Sequence, residues 1–182
     1  MRWSIYTSVL SQSESRPIAR HSLCGMGLAL LSAIVSISLL IPSVSRAADI
    51  QIVDLSDIDF GVVPPTAGDL TASTEFCVAM DPRGRYSLVG RGSGPAGDFR
   101  LTERGTGAYS IDYVVQVSDR GRRFADVLQP GTPLTNQRAS QLTTNNRCQP
   151  PARLRIQVSS NQLQSAVPGH YEGTLSLLVV PE

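Results

Sequence analysis

The alternation of apolar and polar positions along the chain is that of β-strands. In Pro168 to Glu182, PGHYEGTLSLLVVPE, one side of an extended backbone collects Tyr171, Leu175, Leu177 and Val179, and the other collects Glu172, Thr174, Ser176, Leu178 and Val180. Leu154 to Val158 alternates in the same way. Upstream, Ile50 to Val53, Leu70 to Met80, Tyr86 to Val89, Phe99 to Thr102, Tyr109 to Val117 and Phe124 to Leu128 are short runs of β-branched, aromatic and other apolar residues. Turn chemistry separates them: Pro64-Pro65, Asp81-Pro82-Arg83-Gly84, Gly90 to Gly97, Gly105-Thr106-Gly107 and Asp119-Arg120-Gly121. Gln129 to Pro151 is polar and proline-punctuated and predicts irregular structure, and Ser159-Ser160-Asn161 predicts a turn. Apolar residues nowhere recur at helical spacing over a useful window. The expectation is an all-β sandwich of about seven to nine strands with no obligatory helix.

The final strand stops at Pro181, next to the last residue. It is therefore either the last member of a complete sheet or one side of a sheet still missing a strand. Most of the functional question turns on that choice.

The first part of the chain is different in kind. Arg2, Arg16, Arg20 and His21 precede an uncharged apolar run, Leu23 to Val44, and Ser45-Arg46-Ala47 then supplies small residues around a cleavage after Ala47. This predicts a signal peptide over residues 1–47 and one mature domain over 48–182. An uncleaved anchor is the alternative, because the run is about long enough to cross a bilayer; Pro42 and the small-residue site favour processing. Lipid attachment at Cys24 is weaker, since His21-Ser22-Leu23 lacks small residues before the cysteine.

Removing the leader changes the charge and the cysteine count. The mature part keeps 16 − 4 = 12 Arg and 15 − 1 = 14 acidic residues, a net charge of −2, and there is no Lys. Such a surface gives no electrostatic reason to expect nucleic acid. Two of the three cysteines remain, Cys77 and Cys148, and an even pair in an exported chain reads most simply as one disulfide. Closing a loop of about 70 residues, it would stabilise the fold by roughly 4 kcal/mol on the chain-entropy model.

Candidate chemistry is sparse. His170 is the only histidine after processing, with no partner for a zinc site or a Cys/His dyad, and it reads as a polar residue on the solvent side of the last strand. No Gly-x-Ser-x-Gly elbow is present. Gly92-Ser93-Gly94-Pro95-Ala96-Gly97 matches G-x-G-x-x-G in form, but Phe99-Arg100-Leu101 continues as strand where a dinucleotide site needs a helix. Asp49, Asp54, Asp57 and Asp59 lack the order and closing Glu of a calcium loop. No catalytic residue, cofactor or metal is expected.

Several short motifs occur in a telling order: Ile58-Asp59-Phe60-Gly61, Phe76-Cys77-Val78, Tyr86-Ser87-Leu88 leading into Gly90 to Gly97, Ile111-Asp112-Tyr113-Val114-Val115, and Pro168-Gly169-His170-Tyr171 opening the last strand. In these the chain resembles the spore coat protein U family, whose members look like subunits of archaic chaperone/usher pili. The resemblance covers nearly all of residues 48–182. It implies an immunoglobulin-like sandwich lacking its final strand, with an apolar groove beside the C-terminal strand. It also implies partners: a periplasmic chaperone that fills the groove first, an outer-membrane usher, and sibling pilus subunits whose N-terminal extensions fill it in the fibre. Carried onto this chain, Leu175, Leu177 and Val179 line the groove, and Ile50 and Ile52 are the nearest donor candidates. Asp59, Phe60, Gly61, Gly169 and Tyr171 are the family-motif positions. The arm before Asp59-Phe60-Gly61 is short for that family, so the expectation is a chain that accepts a strand without offering a strong one, as a tip or terminating subunit would.

The function expected is that of a non-enzymatic structural or adhesive subunit of a surface fibre or coat, secreted via the periplasm. The alternative is a self-complete secreted sandwich that binds carbohydrate or protein through its loops, with Tyr86, Tyr109, Tyr113 and Arg120 to Arg123 as polar-aromatic contacts.

Overall fold

In the computed structural model, residues 2–11, 49–64, 66–119, 123–124, 126–140 and 148–182 are described, the first of these by backbone alone. The apolar run from Leu23, Cys24 and the cleavage site at Ala47 lie outside the described residues, as do Arg120 and Arg122. The chain divides into two units, Met1–Ser13 with Ala48–Glu182 and Glu14–Ala47. The second lies wholly outside the described residues.

The first unit is the expected all-β sandwich. Its strands are β1 (Arg2–Ser11), β2 (Asp49–Val53), β3 (Ile58–Val62), β4 (Leu70–Asp81), β5 (Arg85–Gly92), β6 (Arg100–Glu103), β7 (Ser110–Asp112), β8 (Val114–Ser118), β9 (Asp126–Leu128), β10 (Leu134–Arg138), β11 (Ala152–Val158) and β12 (His170–Pro181). One sheet runs β10-β5-β12-β1-β3, with β6 and β7 continuing beside the start of β12; the other runs β2-β4-β11-β8-β9. Every pairing between these strands is antiparallel except β1 with β12, which is parallel.

This is the immunoglobulin-like arrangement. The order β2-β4-β11-β8 follows strands A-B-E-D, and β5-β12 follows C-F. Tyr171 confirms the place of β12. Its ring is fully buried near the start of the strand and its hydroxyl donates to the Val167 carbonyl at 2.9 Å, four residues upstream, the tyrosine corner that marks strand F of such folds. Strand G would follow F in the chain. Here β12 is the last of the described strands, and the place beside it is taken by β1, running the opposite way to a G strand.

Strict alternation holds the two sheets face to face. In β11, Ala152, Leu154, Ile156 and Val158 are buried while Arg153, Arg155 and Gln157 point outward; in β12, Tyr171, Gly173, Leu175, Leu177 and Val179 are buried. β4 departs from alternation, with five consecutive buried residues from Phe76 to Met80. Phe76, Val78 and Met80 join the central core, whereas on the other face Cys77 and Ala79 cluster with Cys148, and Ala79 forms a bridge with Ser140. The expected disulfide joins Cys77 to Cys148, with Cα atoms 5.5 Å apart and a sequence separation of 71.

Three local expectations need correction. Tyr109 to Val117 is not one strand: β7 pairs in the first sheet and β8 in the second, and the chain crosses between them at Tyr113, whose N–H donates to the Phe99 carbonyl and whose ring stacks on Phe99 at 5.7 Å. β10 lies in the segment expected to be irregular: it pairs with β5 at Leu134, Gln137 and Arg138, with Thr135 and Asn136 at a register shift between them, so a polar run forms strand without apolar alternation. Ser160–Ser165 is a short helix, α1, where a turn was expected. Ser159 caps it by accepting from the Gln162 N–H, and Leu163 is its buried residue. Six residues are too few to show helical periodicity.

Replacing both Cys77 and Cys148 by Ala is expected to lower the unfolding free energy by about 2–5 kcal/mol, read as a shift of the denaturant midpoint. An unchanged midpoint would mean that the strand pairing holds β4 to the Cys148 segment without the covalent link.

Candidate functional site

The candidate site is the slot between β12 and β3. One edge of β12 pairs with β5 from Leu175 to Pro181 and with β6 at Tyr171 and Glu172, and the Thr174 N–H between them donates to Ser93 Oγ. Its other edge pairs only with β1, over ten consecutive positions from His170 to Val179. β1 in turn pairs with β3 at four positions, Arg2 to Ile5. Among the described strands of residues 48–182, none pairs with this edge of β12 and none pairs with β3; the strand that lies between them comes from the other side of the expected cleavage point. Residues 2–11, expected above to belong to the leader, lie in this place as β1; the signal for a strand there is the alternation of Trp3, Ile5 and Val9, interrupted by Thr7.

The wall of the slot is apolar. Leu175, Leu177 and Val179 of β12 are fully buried, and their register positions lie beside Thr7, Val9 and Ser11 of β1. Across the sandwich lies β2, which approaches both β1 and β12. Ile50 and Ile52, named above as donor candidates, sit on this strand opposite Met80 and Val78 of β4, and Ile50 is buried. They form part of the domain's own core. Since β2 begins at Asp49, a chain cut after Ala47 would keep only Ala48 ahead of its first strand.

The motif positions shape the two lips. In β3, the Gly61 N–H donates to Asp59 Oδ1 at 2.8 Å, and Gly61 has φ of +65°, a left-handed conformation that favours glycine. The register to β1 shifts here, Trp3 facing Gly61 and Ser4 facing Asp59, so Phe60 is the extra residue of a β-bulge, partly buried against the core. On β12, Gly173 faces Ile5 in register, and a Cβ there would lie 2.9 Å from the Arg100 carbonyl oxygen. Gly169 sits next to the Glu103 side chain in the turn before the strand.

Glu103, opposite Tyr171 on the other edge of β12, holds the turn that follows β6. Its carboxylate accepts from the Thr106 N–H and hydroxyl at 2.7 and 2.8 Å and from the Gly105 N–H at 2.7 Å. The bonds from Thr106 first, then that from Gly105, hold the carboxyl below the usual glutamate range. Burial pushes the Tyr171 phenol up, and the Glu103 charge adds to the effect. At the far end, the Glu182 carboxylate accepts from Ser87 Oγ at 2.6 Å and the Asn136 N–H at 2.9 Å, tying β12 to β5 and β10.

The other candidates fare differently. Among the described residues no group of three or more His, Cys, Asp or Glu could hold a metal ion, and the four aspartates of the acidic run are all exposed. The G-x-G-x-x-G stretch is a tight connection between β5 and β6: the Asp98 carbonyl occupies the place a Cβ on Gly92 would need, and Gly97 has φ of +89°. Of the loop-binding residues, Tyr86 and Tyr113 are corrected: both lie in the core, because β5 and the Phe99 stack turn their rings inward. Tyr109 and Arg123 are exposed.

No family model and no curated protein matches the chain. Among solved structures, a chain from work titled "Chaperone-tip adhesin complex is vital for synergistic activation of CFA/I fimbriae biogenesis" is similar in fold, with a TM-score of 0.56 and 16% sequence identity over 74% of this chain. The match covers 42% of that chain. Fold and slot together define the class: an immunoglobulin-like sandwich whose strand-G place is filled from outside the usual order.

Two outcomes are expected at the site. Gly173→Ala should cost about 1–3 kcal/mol, because the added methyl meets the backbone of β6 rather than a movable side chain; a denaturation curve superimposable on the wild type would refute this. Glu103→Ala should remove a pH-dependent contribution. A carboxyl lower in the folded than in the unfolded chain stabilises above the ordinary glutamate value of about 4.3, and the gain is lost as pH falls through the folded value. The stability gap between wild type and variant should therefore narrow on acidification, and a gap independent of pH would show that the charge is not what holds the turn.

Proposed function

We propose that this chain is an exported, non-enzymatic structural or adhesive subunit of a surface fibre or coat, working by accepting a strand into the slot between β12 and β3. The observation that carries the reading is that residues 48–182 leave this slot unfilled from within. An extended segment entering it gains backbone hydrogen bonds along β12, each worth about 1 kcal/mol net, and alternate side chains reach the apolar wall. The partners on this reading are a periplasmic chaperone, an outer-membrane usher and sibling subunits. The fold likeness to a chain from a fimbrial chaperone–adhesin complex supports it, as do the motifs shared with the spore coat protein U family. With β2 held in its own sheet and one residue before it, the processed chain would accept a strand without donating one, in keeping with a tip or terminating position. Secretion through the periplasm to the cell surface follows from the leader and the disulfide.

One observation favours a second reading: within the whole chain, β1 closes the sheet. If residues 2–11 remain attached, the protein is a self-complete sandwich. Its binding surface would then be the exposed loops and the cleft of about 340 Å³ beside the Arg100–Asp112 ion pair.

The test is to produce residues 48–182 in an oxidising periplasm, with and without an apolar-alternating donor strand fused after Glu182. The fused strand should raise soluble yield and lift the thermal midpoint by roughly 10 °C or more, each kcal/mol being worth about 3–5 °C in a domain of this size. A stable monomer with no gain from the strand would overturn the proposal.

A further inference from the structure

We infer that the cleft of about 340 Å³ between β7 and β9 is a binding site for a neutral glycan. This ligand class belongs to the adhesive side of the reading above and rests on that side alone, whatever strand lies beside β12.

Two strands with a free edge border the cleft. Among the described residues β7 pairs only with β6 and β9 only with β8, and between these hairpins the chain passes from one sheet to the other at Tyr113. β6, with β7 beyond it, lies on the β5 side of β12. The cleft is therefore across β12 from the edge that faces β3, and it stays open when a strand lies there. An adhesive subunit built into a fibre needs such a face.

The lining carries two kinds of surface. Arg100 and Asp112 are register partners on β6 and β7, and Arg100 Nε donates to Asp112 Oδ1 at 2.7 Å. That bond uses one side of each group. The two side chains remain 30% and 56% exposed, so the η nitrogens of Arg100 and Oδ2 of Asp112 are left for a ligand, with Asp98 and Gln129 close by. Val114 and Val127, among the large apolar side chains that the fold leaves exposed, join Pro130 as the apolar part of the lining.

These groups select the ligand. An anion is disfavoured, because Asp98 and Asp112 outnumber Arg100 at the cleft. A cation would have to compete with Arg100 for Asp112. A peptide adding as a strand would find little ladder, since β7 and β9 are three residues each. A hydroxyl both donates and accepts. Neighbouring hydroxyls of a sugar ring can thus accept from the Arg100 η nitrogens and donate to Asp112 Oδ2, while the C–H face of the ring covers Val127 and Pro130. The volume falls in the range of about 300–1,000 Å³ usual for small-ligand sites, which suits the end of a glycan chain.

The test uses the full chain expressed with its leader and recovered from the periplasm, so that processing and partners are those of the cell. The probes are an array of neutral glycans ending in hexoses, a matched set ending in uronic or sialic acids, and a set of cationic and apolar peptides. The neutral set should be retained at least about tenfold better than the acidic one. Asp112→Asn and Val127→Asp, both at exposed side chains, should each lower that retention at least about tenfold, the loss of one hydrogen bond to a charged group or its apolar equivalent, with thermal midpoints unchanged. Arg104→Ala breaks the ion pair with Glu172, neither of which lines the cleft, and should bind as wild type. Magnetic resonance of the wild-type chain needs no variant: titrating the best-retained glycan should move the Arg100, Asp112 and Val127 signals. Retention of the acidic or peptide set above the neutral one, no retention of any set, or unchanged retention by both variants would overturn the inference. If the fused strand of the preceding section still stabilises residues 48–182 in that event, the chain is a structural subunit without this adhesive site. If the fused strand has no effect and the neutral glycans bind at the cleft, the acceptor reading fails and the site stands.

Discussion

β12 lies inside its sheet and must be hydrogen-bonded on both edges. Its inner face is fully buried at Tyr171, Leu175, Leu177 and Val179, and β5 and β6 satisfy one edge. The other edge is ten residues long, next to an apolar floor, and its backbone groups are costly to leave unpaired. Whatever strand lies there completes both the ladder and the core. The tyrosine corner holds the start of β12, the Glu182 contacts hold its end, and the Asp59-Phe60-Gly61 bulge shapes β3.

With residues 2–11 in place the sandwich is closed on this side. The A-B-E-D sheet lies opposite, with the Cys77–Cys148 link securing the outer face of β4. One sheet thus serves as the stable base, and the site sits in the other. The G-place strand runs parallel to β12 because it comes from the chain's far end rather than from a hairpin after β12, which would have forced an antiparallel return.

Glycines mark where backbones come closest around the site. Gly173 lets β6 lie against β12, and Gly92 lets the β5–β6 connection fold back on itself, so the resemblance of that connection to a nucleotide loop is a by-product of close packing. The short aromatic inventory is spent on corners: Tyr171 at the start of β12, and Tyr113 with Phe99 where the chain changes sheets. These positions read as binding residues in a sequence because tyrosine carries a polar tip, and in the fold the tip serves the backbone or the core.

The sequence by itself determined the strand class, the inner and outer faces of β11 and β12, the cysteine pair and the apolar wall of Leu175, Leu177 and Val179. All of these are local properties, written in a period of two or in a residue count. Only the tertiary structure decided that β10 is a strand, that Tyr86 and Tyr113 point inward, that Ile50 and Ile52 belong to the domain's own second sheet, and that residues 2–11 lie beside β12. Strand partners are set by contacts between residues far apart in the chain. Alternation tells which face of a strand is buried, but it carries no information about which other strand will satisfy its edge.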